Sequence, residues 1–402
     1  MLSRRTLLGG GASAIGTAAL GACASGPTAG PTGNSRLNWN YERLCEFGEV
    51  PIYGLAWSPD GEFIAANGAG DSLIGLWHVA SKRQVWVLHK QRLPNSTRSL
   101  CFTLDGRYLI TSEAGLTNRG GLSLVDVRTG KPVHSIDPPP GHLAPAGTDR
   151  GLIWGEEHWA LSPDGKYLIS TPSQSSSDPD RAAVYDAQDW SFKRTIPLQR
   201  DGPRTFAFDP TRSGVVATQS IWLSIYDLDG PLAGKFKRDP DLAGVEFWDI
   251  GLGELIRYFP VHPGGVGALV FVPDSQILLT ASGSYRFPSP PSVPSWLADP
   301  DNSEQIRAWD SNTGKKIRGF HSALDVPFDL AIDSTKRFVA ALSLNRGLVI
   351  WDFRSGELLG REYPEGRRFL PPMLRMAFQP GTDLLAFARN NEIYVGSILR
   401  RT

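Results

Sequence analysis

The 402-residue chain has few cysteines, little methionine and no excess of charge. Three cysteines (Cys23, Cys45 and Cys101) are too few for a disulfide scaffold. Lysine and arginine total 41, as do aspartate and glutamate, whereas a nucleic-acid partner would call for a basic excess. Beyond the N-terminal leader, no apolar run is long enough to span a bilayer. No two histidines stand at metal-binding spacing, so the sequence predicts no metal site and no cofactor.

The leader has the pattern of an export signal. Arg4 and Arg5 precede a weakly apolar run from Leu7 to Leu20, which is shorter than the roughly 20 residues that cross a bilayer. The run ends in "LGAC", which resembles the lipobox of bacterial lipoproteins, with Cys23 as the lipidated residue. "SRRTLL" resembles a twin-arginine signal, a route for folded proteins. An ordinary secretory signal with incidental arginines and an incidental cysteine is the alternative.

These resemblances divide the chain and imply a location. Residues 1–22 would be the signal peptide and residues 23–36 a lipidated tether, flexible because it is rich in Gly, Pro, Ser and Thr. Residues 37–402 remain as the folded domain. We expect the protein in the cell envelope, facing the periplasm or the exterior and touching the membrane through its lipid alone. Ala24 stands where an Asp would retain a lipoprotein at the inner membrane, which favours the outer one.

One phrase occurs seven times in the folded domain, a sign of repeat architecture. Each copy has an apolar run, a polar turn and a second apolar run, which predicts a β-hairpin with Pro and Asp opening the turn. The copies are "LAWSPDGEFIAA" from Leu55, "LCFTLDGRYLIT" from Leu100, "WALSPDGKYLIS" from Trp159, "FAFDPTRSGVVA" from Phe206, "LVFVPDSQILLT" from Leu269, "LAIDSTKRFVAA" from Leu330 and "MAFQPGTDLLAF" from Met376.

After most copies a third apolar run ends in an aromatic residue or Val plus Asp, as in "VEFWDI" and "LVIWDF". A tight turn and a fourth run follow. Seven units of four strands predict an all-β fold, a seven-bladed β-propeller of four-stranded antiparallel blades. Blade four has two candidates for its third strand, "WLSIYDL" and "VEFWDI"; the second is favoured because a tight turn follows it directly.

The units resemble WD repeats over residues 39 to 402. His89, His262 and His321 stand where that family often has a Gly-His pair. The family's hydrogen-bonded His, Ser, Asp and Trp set is incomplete in every unit. The sixth unit comes nearest, with His321, Ser343 and Trp351. The chain therefore resembles a divergent bacterial member.

The last unit lacks a fourth strand, and the orphan segment from Asn38 to Glu49 is predicted to supply it. Pairing the two ends of the chain closes a monomeric ring and removes two sheet edges. Cys45 would then lie on the outer strand of blade seven and Cys101 on the innermost strand of blade two. A disulfide needs Cα atoms within about 7 Å, so both are expected to be buried thiols.

Four long stretches exceed what seven repeats need: Pro138 to Gly151, Ser173 to Arg181, Gln219 to Ala243 and Ser284 to Glu304. All four join strands at the same end of a propeller, which is typical of a binding face. Aromatic and basic side chains are favoured interface anchors, although each aromatic could equally pin its own loop. The candidate partner-binding residues are Trp154, Lys235, Phe236, Arg238, Tyr285, Arg286, Phe287 and Trp296.

The expected function is a non-catalytic, lipid-anchored scaffold that binds a protein partner in the cell envelope. It is analogous to the lipoprotein propeller that helps assemble outer-membrane proteins. The alternative is an exported propeller enzyme, a lactonase-like hydrolase or a quinoprotein-like dehydrogenase. "GEEHW", with Glu156, Glu157 and His158, is the sharpest polar cluster for acid–base chemistry. The "TGK" turns resemble quinoproteins but lack their following Trp, and no catalytic residue is assigned.

Overall fold

The structure is a computed structural model. The described residues are 38–48, 51–68, 73–89, 99–112, 121–140, 156–172, 181–198, 205–219, 243–262, 266–282, 304–321, 327–343, 347–362 and 373–398. No helix with the length and apolar character of a membrane span is found among them.

Strands β1 to β28 form seven antiparallel four-stranded sheets. Each sheet is one blade of the propeller, and the prediction of the fold is confirmed. From the innermost to the outermost strand, the blades are as follows: blade one, β2 (Ile52–Trp57), β3 (Phe63–Gly68), β4 (Leu73–His78) and β5 (Arg83–His89); blade two, β6 (Cys101–Phe102), β7 (Tyr108–Ser112), β8 (Leu122–Asp126) and β9 (Pro132–Ile136); blade three, β10 (Glu156–Leu161), β11 (Tyr167–Pro172), β12 (Arg181–Asp186) and β13 (Phe192–Pro197); blade four, β14 (Phe206–Phe208), β15 (Val215–Gln219), β16 (Ala243–Asp249) and β17 (Glu254–His262); blade five, β18 (Val266–Phe271), β19 (Ile277–Ser282), β20 (Ile306–Asp310) and β21 (Lys316–Phe320); blade six, β22 (Pro327–Ile332), β23 (Phe338–Ser343), β24 (Gly347–Asp352) and β25 (Leu358–Glu362); blade seven, β26 (Met373–Phe378), β27 (Leu384–Arg389), β28 (Glu392–Ile398) and β1 (Trp39–Glu46).

The N-terminal strand closes the ring, as expected. β1 pairs antiparallel with β28, with Trp39 opposite Ile398 and Glu46 opposite Glu392. It therefore forms the outer strand of blade seven. In blade four the third strand is β16, which contains "VEFWD", so the preferred alternative is confirmed. The rival segment "WLSIYDL" lies outside the described residues.

The polar turn of the repeated phrase is held by its own side chains. Ser58 Oγ accepts a hydrogen bond from the Phe63 N–H at 2.9 Å, and Ser162 Oγ accepts one from the Tyr167 N–H at the same distance. Gly61 follows Asp60 with a φ of +74°, a conformation that glycine adopts without strain. These bonds explain why Ser, Asp and Gly recur between the first and second strands of a blade.

The aspartates of the WD-like pairs have a similar role in the turn before the outer strand. Asp126 Oδ1 accepts from the Thr129 N–H at 2.8 Å, and Asp310 Oδ1 accepts from the Thr313 N–H at 2.8 Å. The hydrogen bond from the Thr129 side chain lowers the pKa of Asp126, and the bond from the Thr313 backbone lowers the pKa of Asp310. These carboxylates therefore cap the turn that leads into the outer strand.

The core lies mainly between neighbouring blades. Strands that read as apolar on both faces, such as β24, are buried along almost their whole length because a blade covers each face. Between blades four and five, Phe247 of β16 packs against Phe271 of β18, with ring centroids 6.3 Å apart. Between blades seven and one, the Trp57 indole N–H donates to the Ala377 carbonyl at 2.9 Å.

Cys45 and Cys101 are free thiols on the strands predicted for them, β1 and β6. Burial raises the pKa of each thiol to about 12. Both side chains are half-buried, less than the full burial expected, and both thiols are protonated at neutral pH.

Candidate functional site

The two ends of the ring differ in their connections. Because neighbouring strands are antiparallel, links from a second to a third strand leave at the same end as links from a fourth strand to the next inner strand. The four long stretches make connections of these two kinds only, between β9 and β10, β11 and β12, β15 and β16, and β19 and β20. We call this the long-connection end. The opposite, tight-turn end carries the capped turns described above.

The sequence-predicted site residues fall within or beside those connections, and all of them lie outside the described residues. So do the signal and lipidation residues Arg4, Arg5 and Cys23. The partner-binding candidates outside the described residues are Trp154, Lys235, Phe236, Arg238, Tyr285, Arg286, Phe287 and Trp296.

One repeat position recurs close to the long-connection end of every blade, within or just before the innermost strand. In five of the seven inner strands the pairing register shifts by one residue at the same place, as between Ile52 and Gly54 and between Pro327 and Asp329. Such bulges re-aim side chains and are common beside functional sites. The residue after this place in each blade belongs to what we call the entrance ring: Gly54, Ser99, His158, Thr205, Ala268, Asp329 and Arg375.

Asp329 and Arg375 are the charged members of the entrance ring. Arg375 Nη1 lies 4.0 Å from Asp329 Oδ2, and the side chains are each 20% exposed. The Arg375 Nε–H donates to the Tyr53 carbonyl at 2.8 Å, so this guanidinium joins blades six, seven and one. Burial raises the pKa of the Asp329 carboxyl, while the charge of Arg375 and two backbone N–H donors act in the opposite direction.

Two entrance-ring side chains hold the next blade in place. Asp329 Oδ2 accepts from the Met376 N–H at 3.1 Å, and Ser99 Oγ accepts from the Trp159 N–H at 3.3 Å. Both bonds cross from one inner strand to the next at the same repeat position. Asp329 and Ser99 therefore have a structural role, because each side chain ties its blade to the next one.

The "GEEHW" cluster begins the inner strand of blade three, as predicted. The register shift between Glu156 and His158 leaves Glu157 as the bulged residue of β10. His158 is buried, and its carbonyl accepts from the Thr171 hydroxyl at 3.4 Å. Within the described residues, no group of His, Cys, Asp or Glu side chains could hold a metal ion.

A buried histidine network joins blades four and five, whereas in the sequence the sixth unit came nearest to the family's set. His262 Nε2 and Thr280 Oγ1 are 2.9 Å apart, and the Trp309 indole N–H donates to the same hydroxyl at 2.8 Å. Burial, followed by the charge of Arg307, lowers the pKa of His262 to about 3, so the imidazole is neutral. Thr280 occupies the place of the Ser in the family's His, Ser, Asp and Trp set, so the sequence pattern did not reveal this network.

In blade six the expected set is not assembled through its side chains. The Trp351 indole N–H donates to the backbone carbonyl of His321 at 3.1 Å. The His321 ring is instead exposed and lies 3.4 Å from Glu304 Oε1. The set is therefore incomplete in the sixth unit, as expected, and Trp351 meets the backbone of His321 and not its ring.

The chain is similar to one known family. Residues 43–78 match the family model for the WD domain, G-beta repeat. That segment runs from β1 of blade seven through β4 of blade one, so the matched unit crosses the closure of the ring. No curated protein matches the chain. The match and the seven blades together make this a WD-repeat-like propeller, a fold that commonly acts as a scaffold for protein interactions.

Proposed function

We propose that this protein is a non-catalytic, lipid-anchored propeller of the cell envelope that binds a protein partner with its long-connection end. One observation supports this most: the four long stretches all depart from strand ends at one side of the ring, while the other side carries short turns capped by their own side chains. Long connections on a rigid scaffold are where proteins place binding residues.

The stretch between β19 and β20 is the best candidate for the principal contact. Its sequence "SYRFPSPPSVPSWLADPDN" holds Tyr285, Arg286, Phe287 and Trp296 among five prolines. Aromatic and Arg side chains dominate binding energy at interfaces. Prolines reduce the conformational freedom that binding must remove.

Replacing residues 284–303 with a short Gly-Ser link tests the proposal. Glu304 is kept because it contacts Lys316 of β21. The ring should remain folded, since β19 and β20 still pair and each doubling of loop length changes closure entropy by only about 0.6 kcal/mol. Capture of the partner from detergent-solubilised envelope should fall sharply.

Residues 174–180 provide a matched control, because they also link a second to a third strand but contain no aromatic residue. Shortening them should leave capture almost unchanged. If the deletion between β19 and β20 leaves the captured amount unchanged while thermal melting shows a folded ring, the proposed binding end is wrong.

The anchor has its own test. Cys23→Ala should move the protein from the membrane fraction to the soluble fraction, because the lipid would be its only covalent attachment. Retention of the variant on membranes after a salt wash would contradict lipidation at Cys23. Cys45→Ala is the matched control and should leave fractionation unchanged, since Cys45 lies on β1 of the folded ring and not in the export signal.

An exported propeller hydrolase or dehydrogenase is the second candidate function, favoured by the bulge that places Glu157 on the inner strand of blade three. Glu156→Gln and Glu157→Gln should leave partner capture unchanged. A lactone-hydrolase or dehydrogenase activity that the wild type has and the double variant lacks would replace the scaffold with the enzyme.

A further inference from the structure

The point at which the chain enters the ring has a fixed place. β1 is a fourth strand, and fourth strands start at the tight-turn end because they follow the turn after the third strand. The register agrees: Trp39, the first residue of β1, is opposite Ile398 at the end of β28, and Glu46 is opposite Glu392, next to the link between β27 and β28. The residues before Trp39 therefore join the ring at the tight-turn end, on its outer edge.

The exposed apolar side chains of the described residues share that end. Leu104 lies in a turn between first and second strands, and Leu252 in a turn between third and fourth strands, where they are 51% and 65% exposed. The others lie within the first three residues of outer strands. These four are Val85, Val133, Ile256 and Ile317.

Backbone geometry explains the outer-strand members. Each of the four is the extra residue of a β-bulge, where the outer strand shifts register against the third strand. In blade four, for example, Phe247 and Trp248 are consecutive, and Ile256 lies between their two partners on the outer strand. Bulges turn a side chain out of the regular alternation. The same position recurs around the ring, so aliphatic groups lie on the rim of blades one, two, four and five.

The reach of the tether favours one orientation at a membrane. Fifteen residues lie between Cys23 and Trp39. A coil of fifteen residues would span about 20 Å on average, and about 50 Å when fully extended. A six-residue strand is itself about 20 Å long, so turning the ring over would use the whole average reach of the tether.

We propose that the tight-turn end faces the membrane that holds the lipid, with Leu104, Leu252 and the rim aliphatics against the lipid surface, and that the long-connection end faces away. This inference rests on the proposed lipidation of Cys23. A tethered surface meets the membrane at high effective concentration, so modest apolar contacts suffice to orient it. The partner would then be met on the side away from the membrane.

Fluorescence quenching by nitroxide-labelled lipids tests the orientation. The lipidated full-length protein is placed in vesicles that contain the nitroxide-labelled lipids. It carries an environment-sensitive fluorophore on the new cysteine of Leu252→Cys or, as the matched control, of His89→Cys. His89 is exposed and ends β5 at the long-connection end. The native thiols Cys45 and Cys101 are half-buried and their pKa values are raised to about 12, so the label reacts first with the new cysteine. The label at position 252 should lose most of its fluorescence, whereas the label at position 89 should keep it.

Three further measurements separate the possible failures. Flotation with the vesicles reports anchoring: a lipidated protein that does not float overturns both the anchor and the orientation. Flotation with equal quenching at the two positions, or stronger quenching at position 89, overturns the orientation alone. Leu104→Asp with Ile256→Asp should reduce quenching at position 252 without loss of flotation, and unchanged quenching would overturn the role of the apolar side chains.

Discussion

Closure of the ring by the N-terminal strand predicts a large energetic role for Phe47. This side chain follows β1, is 2% exposed, and packs edge-on against Trp77 of blade one with centroids 5.2 Å apart. Truncating a buried Phe to Ala costs about 3–5 kcal/mol through lost burial and the cavity left behind. Phe47→Ala should therefore lower the free energy of unfolding by that amount, measured by urea titration with tryptophan fluorescence and far-UV circular dichroism.

Asn40→Ala is the matched control, because Asn40 lies on the same strand but is exposed. It should change the free energy of unfolding by no more than about 0.5 kcal/mol. A double-mutant cycle with Trp77→Phe and Phe47→Leu should give a coupling of about 0.5–1.5 kcal/mol for the aromatic pair. Equal, small effects of Phe47→Ala and Asn40→Ala would refute the closing role of this segment.

Three other predictions follow from buried polar groups. The pKa of His262 is lowered to about 3, against about 6.5 when unfolded, so the unfolded chain gains a proton first as the pH falls between these two values. The free energy of unfolding should therefore drop by up to about 1.4 kcal/mol per pH unit in this range. Urea titrations should show that His262→Gln, but not His89→Gln, flattens the dependence of this free energy on pH. Iodoacetamide at mildly alkaline pH should modify neither Cys45 nor Cys101 until urea unfolds the ring, because the pKa of each thiol is raised. Mass spectrometry should find no disulfide between the two residues. Rapid labelling of the folded protein would contradict the protection of these thiols. Asp329→Ala removes the acceptor of the Met376 N–H and should lower the free energy of unfolding by about 1–3 kcal/mol in thermal or urea unfolding. Asp329→Asn keeps an acceptor and should lower it by less. Equal losses in the two variants would contradict the hydrogen-bonding role.

The repeat and the blade count were predictable because both depend on short-range patterns. Ser58, Asp60 and Gly61 specify a turn by bonds within a few residues, and the phrase containing them recurs seven times. The pairing of the N-terminal strand followed from the number of strands. The last blade lacked its fourth strand, and the N-terminal segment was the one strand without a blade.

The histidine network and the entrance ring were not predictable, because both depend on atoms that the fold brings together from neighbouring blades. Whether Trp309 meets Thr280, or Trp351 meets the carbonyl of His321, depends on the backbone path before each inner strand. The bond from Met376 to Asp329 joins residues of two different repeats, which a search within single repeats does not compare.

The separation of the two ends follows from which strand the N-terminus supplies. An inner strand starts at the long-connection end, so a ring whose chain began directly with an inner strand would place its tether beside the long stretches. Here the chain first contributes β1, a fourth strand, and fourth strands start at the tight-turn end. The same pairing that removes the exposed sheet edges therefore makes the chain enter the ring at the end opposite the four long connections. On the proposed anchoring, the tether and the binding face would lie at opposite ends of the ring and would not compete for space.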